Sequence, residues 1–223
     1  MIAWLAPGDP PDSFPPVERA LRDPQGLLAA GGDLSCDRLV AAYRRGIFPW
    51  YSPGQPVLWW SPDPREVLLP REFHMSRSLA RALRTRGFEY RVDTDFEAVI
   101  SACAEPRGAS PGTWITDAMH DAYVALHRRG IAHSCEIWRE GRLVGGVYGV
   151  RLGRVFFGES MFSLERDASK AALAGLVRQC IADGTELIDC QMPSEHLRSL
   201  GSRALARAEF VERLGRAIGA GAN

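Results

Sequence analysis

A single carboxylate within an aromatic segment is the first candidate for chemistry. Glu159 follows Phe156, Phe157 and Gly158 and precedes Ser160 and the apolar Met161. A carboxylate buried in such surroundings is costly unless it is paired, so a sequence that places one there uses its charge or its hydrogen bonds. Strict alternation puts Glu159 on the face of Phe157 and Met161, although Gly158 could introduce a β-bulge that re-aims its neighbours. The alternative is an edge carboxylate that faces water.

Two further polar candidates lie in a strand-like segment over residues 185–191. Leu187, Asp189 and Gln191 alternate along it. A period of two places Asp189 and Gln191 on one face, about 7 Å apart, where both can reach one ligand. Ligands of sheet proteins also collect at the carboxyl ends of strands. The alternative is that Asp189 starts a turn, which is common for Asp.

The overall composition is that of a globular protein. The chain has 223 residues, of which 46% are hydrophobic and 24% charged, enough for one large or two unequal domains. The sequence has no stretch of eighteen apolar residues and does not begin with a basic and then apolar leader, which predicts a cytoplasmic protein that does not span a membrane. Basic and acidic residues balance at 27 each. A nucleic-acid partner would therefore have to meet a local basic patch.

The cysteines predict buried thiols in a reducing compartment. There are five of them, an odd number, with no C-x-x-C pair and no His at ligand spacing. This pattern argues against a disulfide framework and against a zinc site.

Capping residues, turns and periodicity divide the chain into the elements of an α+β fold with a mostly antiparallel sheet. Three hairpin-linked strands occupy 133–139, 142–150 and 154–163, and another strand follows at 185–191. Helices are predicted from cap Ser35 to Gly46, over 76–86 and 95–103, from cap Thr116 to Gly130, and from cap Asp167 to Gly184. The last helix directs these apolar residues toward the sheet: Leu173, Leu176, Val177, Cys180 and Ile181.

An aromatic cluster lies at the end of the amino-terminal part. Phe48, Trp50, Tyr51, Trp59 and Trp60 fall within thirteen positions. These rings could form the core of a small domain, or a floor on which an apolar group or a base stacks. The segment 61–64, Ser-Pro-Asp-Pro, has the character of a linker, so we predict a small domain over 1–63 and a larger one over 64–223.

The strongest local charge bias lies between residues 71 and 91, with six arginines against two glutamates. In a helix over 76–86, the spacing places Arg77, Arg81 and Arg84 on one face and Leu79 and Leu83 on another. Such a face could bind phosphates, and the alternative is a solvated surface helix.

Several motifs resemble those of the leucyl/phenylalanyl-tRNA-protein transferase family. They run in the same order as in the family and cover roughly residues 26–201. The segments concerned are 26–34, Gly-Leu-Leu-Ala-Ala-Gly-Gly-Asp-Leu; 45–50, Arg-Gly-Ile-Phe-Pro-Trp; 58–65, Leu-Trp-Trp-Ser-Pro-Asp-Pro-Arg; 112–116, Gly-Thr-Trp-Ile-Thr; 158–163, Gly-Glu-Ser-Met-Phe-Ser; and 188–191, Ile-Asp-Cys-Gln.

The resemblance implies an activity, partners and a fold. The activity is transfer of leucine or phenylalanine from its tRNA to the α-amine of proteins that begin with Lys or Arg, which marks them for degradation under the N-end rule. The implied partners are leucyl-tRNA or phenylalanyl-tRNA and those proteins, and the family precedent suggests a monomer. The implied aminolysis needs no metal or redox cofactor. The implied fold is a small amino-terminal domain followed by an N-acetyltransferase-like (GNAT-like) domain.

The resemblance also assigns roles to residues of this chain. Val147 and Leu176 stand where larger residues often occur in the family, which implies a roomier pocket and leaves the choice between Leu and Phe open. Arg77, Arg81 and Arg84 lie where the family's basic patch meets tRNA. The residues matched to the substrate pocket are Trp50, Trp114, Val147, Phe156, Ser160, Leu173 and Leu176, and those matched to the reacting centre are Glu159, Asp189 and Gln191.

Aminolysis of an activated ester requires alignment of the substrates and removal of a proton from the attacking amine. One hypothesis has Asp189 orient Gln191, whose side-chain oxygen accepts a hydrogen bond from that amine, while Glu159 holds the amino end of the aminoacyl group. A variant in which the tRNA 2′-hydroxyl carries the proton fits equally well.

Three other functions compete with this one. A coenzyme-A-dependent N-acetyltransferase would need a glycine-rich pyrophosphate loop, but residues 163–167 are acidic and lack glycine. A thiol hydrolase would use Cys190 as nucleophile with His133 or His196 as base. A non-catalytic RNA-binding module would have no use for a carboxylate in an apolar strand.

Overall fold

The computed structural model describes residues 2–105 and 113–219, which form two β-sheets with helices packed against them. Gly112, the first residue of the motif over 112–116, lies outside the described residues. Among the described residues, no helix has both the length and the apolar character needed to cross a membrane.

The amino-terminal part forms a four-stranded sheet beside one helix. Its strands are β1 (Ala3–Leu5), β2 (Leu27–Gly31), β3 (Phe48–Pro49) and β4 (Leu58–Trp60), in the order β1-β2-β4-β3. Helix α1 (Cys36–Arg44) begins where predicted, because the Ser35 hydroxyl accepts a hydrogen bond from the Arg38 amide.

The rest of the chain forms a seven-stranded sheet in the order β11-β5-β10-β9-β8-β7-β6. Neighbouring strands are antiparallel except β9 and β10, which are parallel. This confirms the predicted α+β class with a mostly antiparallel sheet. The strands are β5 (Arg65–Leu68), β6 (Glu89–Val92), β7 (Ala132–Arg139), β8 (Arg142–Leu152), β9 (Val155–Ser163), β10 (Leu187–Gln191) and β11 (Arg203–Leu205).

Helices cover both faces of this sheet and create two apolar cores. The helices are α2 (Arg77–Thr85), α3 (Phe96–Ala104), α4 (Asp117–Arg128), α5 (Ala168–Ala182), α6 (Glu195–Arg198) and α7 (Arg207–Gly219). The first core joins α1, α3, α4, α7 and the four-stranded sheet, and it includes Tyr43, Tyr123 and Phe157. The second core lies under α2 and α5 and includes Val147 and Phe156.

Two details of α5 differ from the prediction. Asp167 is the residue before the helix, but it has a left-handed φ of 69° and its side chain makes no capping hydrogen bond. Its carboxylate lies 3.3 Å from Arg86 of the neighbouring segment instead. Ile181 is 44% exposed, because it lies one residue, or 100° of helix, beyond the inward-facing Cys180.

A β-bulge in β9 decides where Glu159 points. Tyr148 pairs with Ser160 and Gly149 pairs with Gly158, so Glu159 is the extra residue of the bulge. The bulge beside Gly158 is therefore confirmed. Strict alternation through Met161 is wrong, because the inserted residue moves Met161 to the second core while Phe157 stays in the first.

Candidate active site

A cavity of about 280 Å³ opens where the parallel strands β9 and β10 diverge. Their pairing ends at Phe157 and Asp189, and the side chains beyond that point line the cavity. Its wall combines an apolar side with a polar end. Six residues assigned from the sequence line it: Val147, Glu159, Ser160, Leu173, Leu176 and Gln191. Its volume is at the small end of the ~300–1,000 Å³ typical of ligand pockets, which suits an amino-acid side chain.

Phe156, which the resemblance assigns to the substrate pocket, does not itself line this cavity. It is buried in the second core together with the lining residues Val147, Leu173 and Leu176. Its aromatic ring lies so close to Gly149 that a Cβ at that position would approach it to 2.6 Å. Gly149 is therefore required for the ring to sit between β8 and the cavity wall.

Glu159 closes the polar end of the cavity and accepts three hydrogen bonds. Tyr43 Oη donates to Oε1 at 2.7 Å, Tyr123 Oη donates to Oε2 at 2.9 Å, and Gln191 Nε2 donates to Oε1 at 2.7 Å. Burial raises the pKa of Glu159 to about 7, although the three hydrogen bonds favour the ionised form and act in the opposite direction. Glu159 is thus a carboxyl group that can gain or lose a proton near neutral pH.

Gln191 reaches Glu159 because the end of β10 is irregular. Its φ is 62°, in the left-handed region, and the pairing of β10 with β5 shifts register between Asp189 and Gln191. The backbone amide of Gln191 donates to Asp189 Oδ1 at 2.9 Å, which fixes this turn. The prediction that Asp189 and Gln191 share one face of a regular strand is therefore wrong. Asp189 acts on Gln191 through the backbone.

Asp189 forms a buried, bidentate ion pair with Arg65. The guanidinium Nε and Nη2 donate to the two carboxylate oxygens at 2.8 and 2.6 Å, and both side chains are fully buried. Arg65 also donates to the carbonyl oxygen of Gly46 at 3.2 Å and lies 4.7 Å from the ring centre of Phe48. This pair ties the end of β10 to the aromatic cluster of the amino-terminal part.

Three residues of this network were missed by the sequence reasoning. Tyr43 and Tyr123 have the spacing of inward-facing helix residues, and that spacing gives no signal for what their hydroxyl groups bind. Arg65 follows the predicted linker, where an exposed cation is the ordinary expectation. The sequence offered one signal for Arg65: a carboxylate buried in a strand, such as that of Asp189, needs a partner of opposite charge.

Trp50 and Trp114 line a second cavity, of about 1,020 Å³. Trp50 is 42% exposed, and its ring centre lies 5.6 Å from that of Trp60. Tyr51 also lines this cavity and forms a 3.0 Å hydrogen bond with Thr116 at the start of α4. The residues assigned from the sequence to one substrate pocket are thus divided between two cavities.

The arginine face of α2 is formed as predicted. Arg77, Arg81 and Arg84 are exposed, and none of them forms an ion pair within the described ranges. Leu79 is buried and Leu83 is partly buried against the second core. Three cations are therefore held on one exposed surface of the molecule.

Cys190 is a poor candidate for a nucleophile. Burial raises the pKa of its thiol far above the ordinary value, and the neutral thiol is unreactive. His196 lines the same cavity, but His133 is on β7, where its Nδ1 lies 2.7 Å from Asp93. The geometry therefore argues against a thiol hydrolase.

The fold and the cavity together define an α+β protein with an apolar pocket that ends in a buried carboxyl–amide pair, an arrangement suited to positioning an apolar acyl group for attack. The sequence also matches two family profiles, described as leucyl/phenylalanyl-tRNA protein transferase over residues 67–215 and its N-terminal domain over residues 32–63. The chain belongs to the leucyl/phenylalanyl-tRNA protein transferase family.

Curated relatives match almost the whole chain. A leucyl/phenylalanyl-tRNA–protein transferase of Pseudomonas fluorescens (strain Pf0-1) is 58% identical over 216 residues, covering 97% of this chain and 95% of the relative. The proteins of the same name from Pseudomonas entomophila and Pseudomonas aeruginosa PAO1 are each 59% identical, with the same coverage.

Solved structures show weaker similarity. A GCN5-related N-acetyltransferase from Kribbella flavida has a TM-score of 0.41 and 12% identity, covering 75% of this chain and 60% of that one. The L-PGS of Bacillus licheniformis has the same score and identity, covering 75% of this chain and 53% of that one.

Proposed function

We propose that this protein transfers leucine or phenylalanine from its tRNA to the α-amine of proteins whose first residue is Lys or Arg. The observation that carries the proposal is the small apolar cavity that ends at Glu159 and Gln191. An apolar side chain bound there would place its ester carbonyl beside groups that can bind an amine. We further propose that it works in the cytoplasm as a monomer.

A transfer assay tests this proposal directly. Purified protein is incubated with tRNA carrying radiolabelled leucine and with a peptide that begins with Arg. We expect the label to appear on that peptide and not on an otherwise identical peptide that begins with Ala. Equal labelling of both peptides, or of neither, would contradict the proposal.

The geometry supports a specific task for Gln191. Because its Nε2 donates to Glu159, its Oε1 is left to accept a hydrogen bond from the attacking amine. Asp189 fixes the backbone of Gln191 and is itself held by Arg65. The tRNA 2′-hydroxyl remains an alternative proton carrier, since it would lie beside the same ester.

The two cavities suit two parts of an aminoacyl-tRNA end. The smaller one fits a leucyl or phenylalanyl side chain, and the larger one, with Trp50 and Trp114 in its wall, is wide enough for a nucleoside and offers aromatic faces for a base to stack on.

The choice between Leu and Phe is expected to depend on Val147. Val147→Met would reduce the volume of the small cavity, which penalises the larger phenylalanyl side chain more than the leucyl one. Because one methylene in an apolar pocket changes binding by about 10–200-fold, we expect the ratio of kcat/KM for leucyl-tRNA over phenylalanyl-tRNA to rise at least ~10-fold. Val92→Met on the exposed strand β6 is the control, and an unchanged ratio in Val147→Met would exclude Val147 from the pocket.

The arginine face of α2 is expected to bind the tRNA backbone. Changing Arg77, Arg81 and Arg84 together to Ala should weaken tRNA binding and make its salt dependence shallower. Each lost phosphate contact reduces the slope of the logarithm of the binding constant against the logarithm of the salt concentration by about 0.7–0.9. The measurement is the dissociation constant of leucyl-tRNA at several salt concentrations. The matched control replaces Arg128, Arg142 and Arg216, three exposed arginines on other elements. Equal losses in both variants would show that only net charge matters.

A further inference from the structure

Two tyrosines and one carboxyl group form a closed ring beneath the small cavity. Tyr43 on α1 and Tyr123 on α4 each contact Glu159, as described above, and their hydroxyl groups also contact each other. Both tyrosines are fully buried and Glu159 is 9% exposed at the cavity wall. The ring therefore has three contacts in a space closed to water except on the side of Glu159.

The number of protons in this ring depends on the state of Glu159. Burial, and after it the charge of Glu159, raises the pKa of both phenols well above the ordinary value, so each tyrosine keeps its proton. With Glu159 ionised, the ring has two protons for three oxygen–oxygen contacts. Both tyrosines donate to Glu159, so the contact between the two hydroxyl groups has no proton. With Glu159 protonated, three protons serve three contacts, and every hydroxyl group can donate to the next around the ring. The ring can thus accept one proton without breaking any of its contacts.

Gln191 alone cannot complete the proton transfer that aminolysis requires. An amide oxygen orients an amine by accepting a hydrogen bond, but it is too weak a base to keep the proton. Among the groups that hydrogen-bond to Gln191, Glu159 is the one with an exchangeable carboxyl proton at the cavity. Asp189 is committed to Arg65 on the other side of the strand.

We propose that Glu159 takes the proton of the attacking amine, and that Tyr43 and Tyr123 are positioning residues that hold its carboxyl group ready to do so. This inference rests on the proposed function. It gives Glu159 a task different from binding the amino end of the aminoacyl group, the role assigned from the sequence.

The surroundings of Glu159 agree with such a task. Burial raises its pKa to about 7, close to the ~8 of an α-amine, so that a proton can move between the two groups at little cost. The other polar groups that face it are Tyr148 on β8, which stays neutral, and the Asp189 and Gln191 side chains on β10. The negative charge of Asp189 adds to the rise in the pKa of Glu159.

Protons and electrons are conserved in this transfer. One N–H bond of the acceptor ammonium breaks and an O–H bond forms on Glu159, which leaves an electron pair on nitrogen. That pair forms the new C–N bond at the ester carbonyl carbon. The C–O bond to tRNA then breaks, its electrons go to the 3′-oxygen, and a second proton of the attacking nitrogen ends on that oxygen. Glu159 returns its proton to solvent.

The pH dependence of kcat tests the proposal. Tyr43→Phe and Tyr123→Phe each remove one hydrogen bond to the ionised carboxyl group and keep the ring that packs in the core. Hydrogen bonds to an ionised carboxylate are about twice as strong as those between neutral groups, and both tyrosines lower the pKa of Glu159 in this way. We therefore expect the acidic limb of the profile to move to higher pH by about one unit in each variant. Glu159→Gln should lose the Glu159 limb and about 100-fold in kcat. Tyr90→Phe, which removes a partly buried hydroxyl that donates to Cys135, is the matched control with an unmoved limb.

A titration of the ligand-free protein separates this inference from the proposed function. Protein carrying ¹³C-labelled glutamate carboxyl groups is titrated by NMR, with Glu159→Gln to assign the signal. A midpoint near 7 that rises in Tyr123→Phe supports the positioning of Glu159 by the two tyrosines, whatever the outcome of the transfer assay. Three results would overturn the inference. They are a titration midpoint near 4, an unmoved acidic limb in the tyrosine variants, and a Glu159→Gln variant that changes only KM for leucyl-tRNA.

Discussion

Replacing Asp189 with Asn is expected to lower the free energy of unfolding by about 3–5 kcal/mol, because it leaves the buried Arg65 guanidinium without its counter-charge. Both side chains are fully buried, and the pair carries two hydrogen bonds of 2.6 and 2.8 Å. Asn keeps the shape of Asp and removes only the charge, so the loss would not reflect a cavity. Chemical denaturation followed by tryptophan fluorescence measures it.

The control for this prediction is an ion pair at the surface. Arg216 and Glu212 lie 3.1 Å apart on α7, and each side chain is 67% exposed. Since exposed pairs contribute only about 0–1 kcal/mol, Arg216→Ala should be close to neutral. A loss below about 1 kcal/mol in Asp189→Asn would show that Arg65 finds another partner or water, and the account of how β10 is anchored would fail.

Replacing Gln191 with Ala is expected to lower kcat about 100-fold or more, with little change in the binding of leucyl-tRNA. The variant removes the oxygen that accepts a hydrogen bond from the attacking amine and also the donor that holds Glu159. Single-turnover transfer of labelled leucine to an Arg peptide measures the chemical step. Gln179→Ala is the matched control, because Gln179 also donates to a carboxylate, that of Asp183, but on the exposed side of α5.

The role of the tRNA 2′-hydroxyl is tested in parallel. Leucyl-tRNA that ends in 2′-deoxyadenosine should react at nearly the normal rate if Gln191 and Glu159 manage the amine and its proton. Near-normal turnover by Gln191→Ala, together with a large loss on the deoxy substrate, would instead assign the proton to the tRNA.

Much of the fold followed from local sequence signals. The Ser35 and Thr116 caps marked the starts of two helices, and turns at glycine separated the three long strands. Caps and turns depend on residues that are neighbours in the chain, so they can be predicted from the sequence. The β-bulge beside Gly158 was also foreseeable, since glycine in an aromatic strand usually marks an irregularity.

The details of the site depended on contacts that the sequence does not display. Tyr43 meets Glu159 across 116 positions, and Arg65 meets Asp189 across 124. Periodicity assigned Gln191 to the face of Asp189. The left-handed turn at Gln191 is fixed instead by the hydrogen bond from its backbone amide to the Asp189 carboxylate, which residue type alone does not reveal. The resemblance to a family supplied the roles of these residues, and the structure supplied the contacts between them.

The most direct test of the central claim is a crystal structure with a stable analogue of the aminoacyl-tRNA end, leucine joined by an amide to 3′-amino-3′-deoxyadenosine. We expect the leucyl side chain to lie among Val147, Leu173 and Leu176, with its carbonyl carbon beside Gln191 and the adenine in the cavity lined by Trp50 and Trp114. A leucyl side chain bound between Trp50 and Trp114, with the small cavity empty and Gln191 remote from the carbonyl carbon, would contradict it.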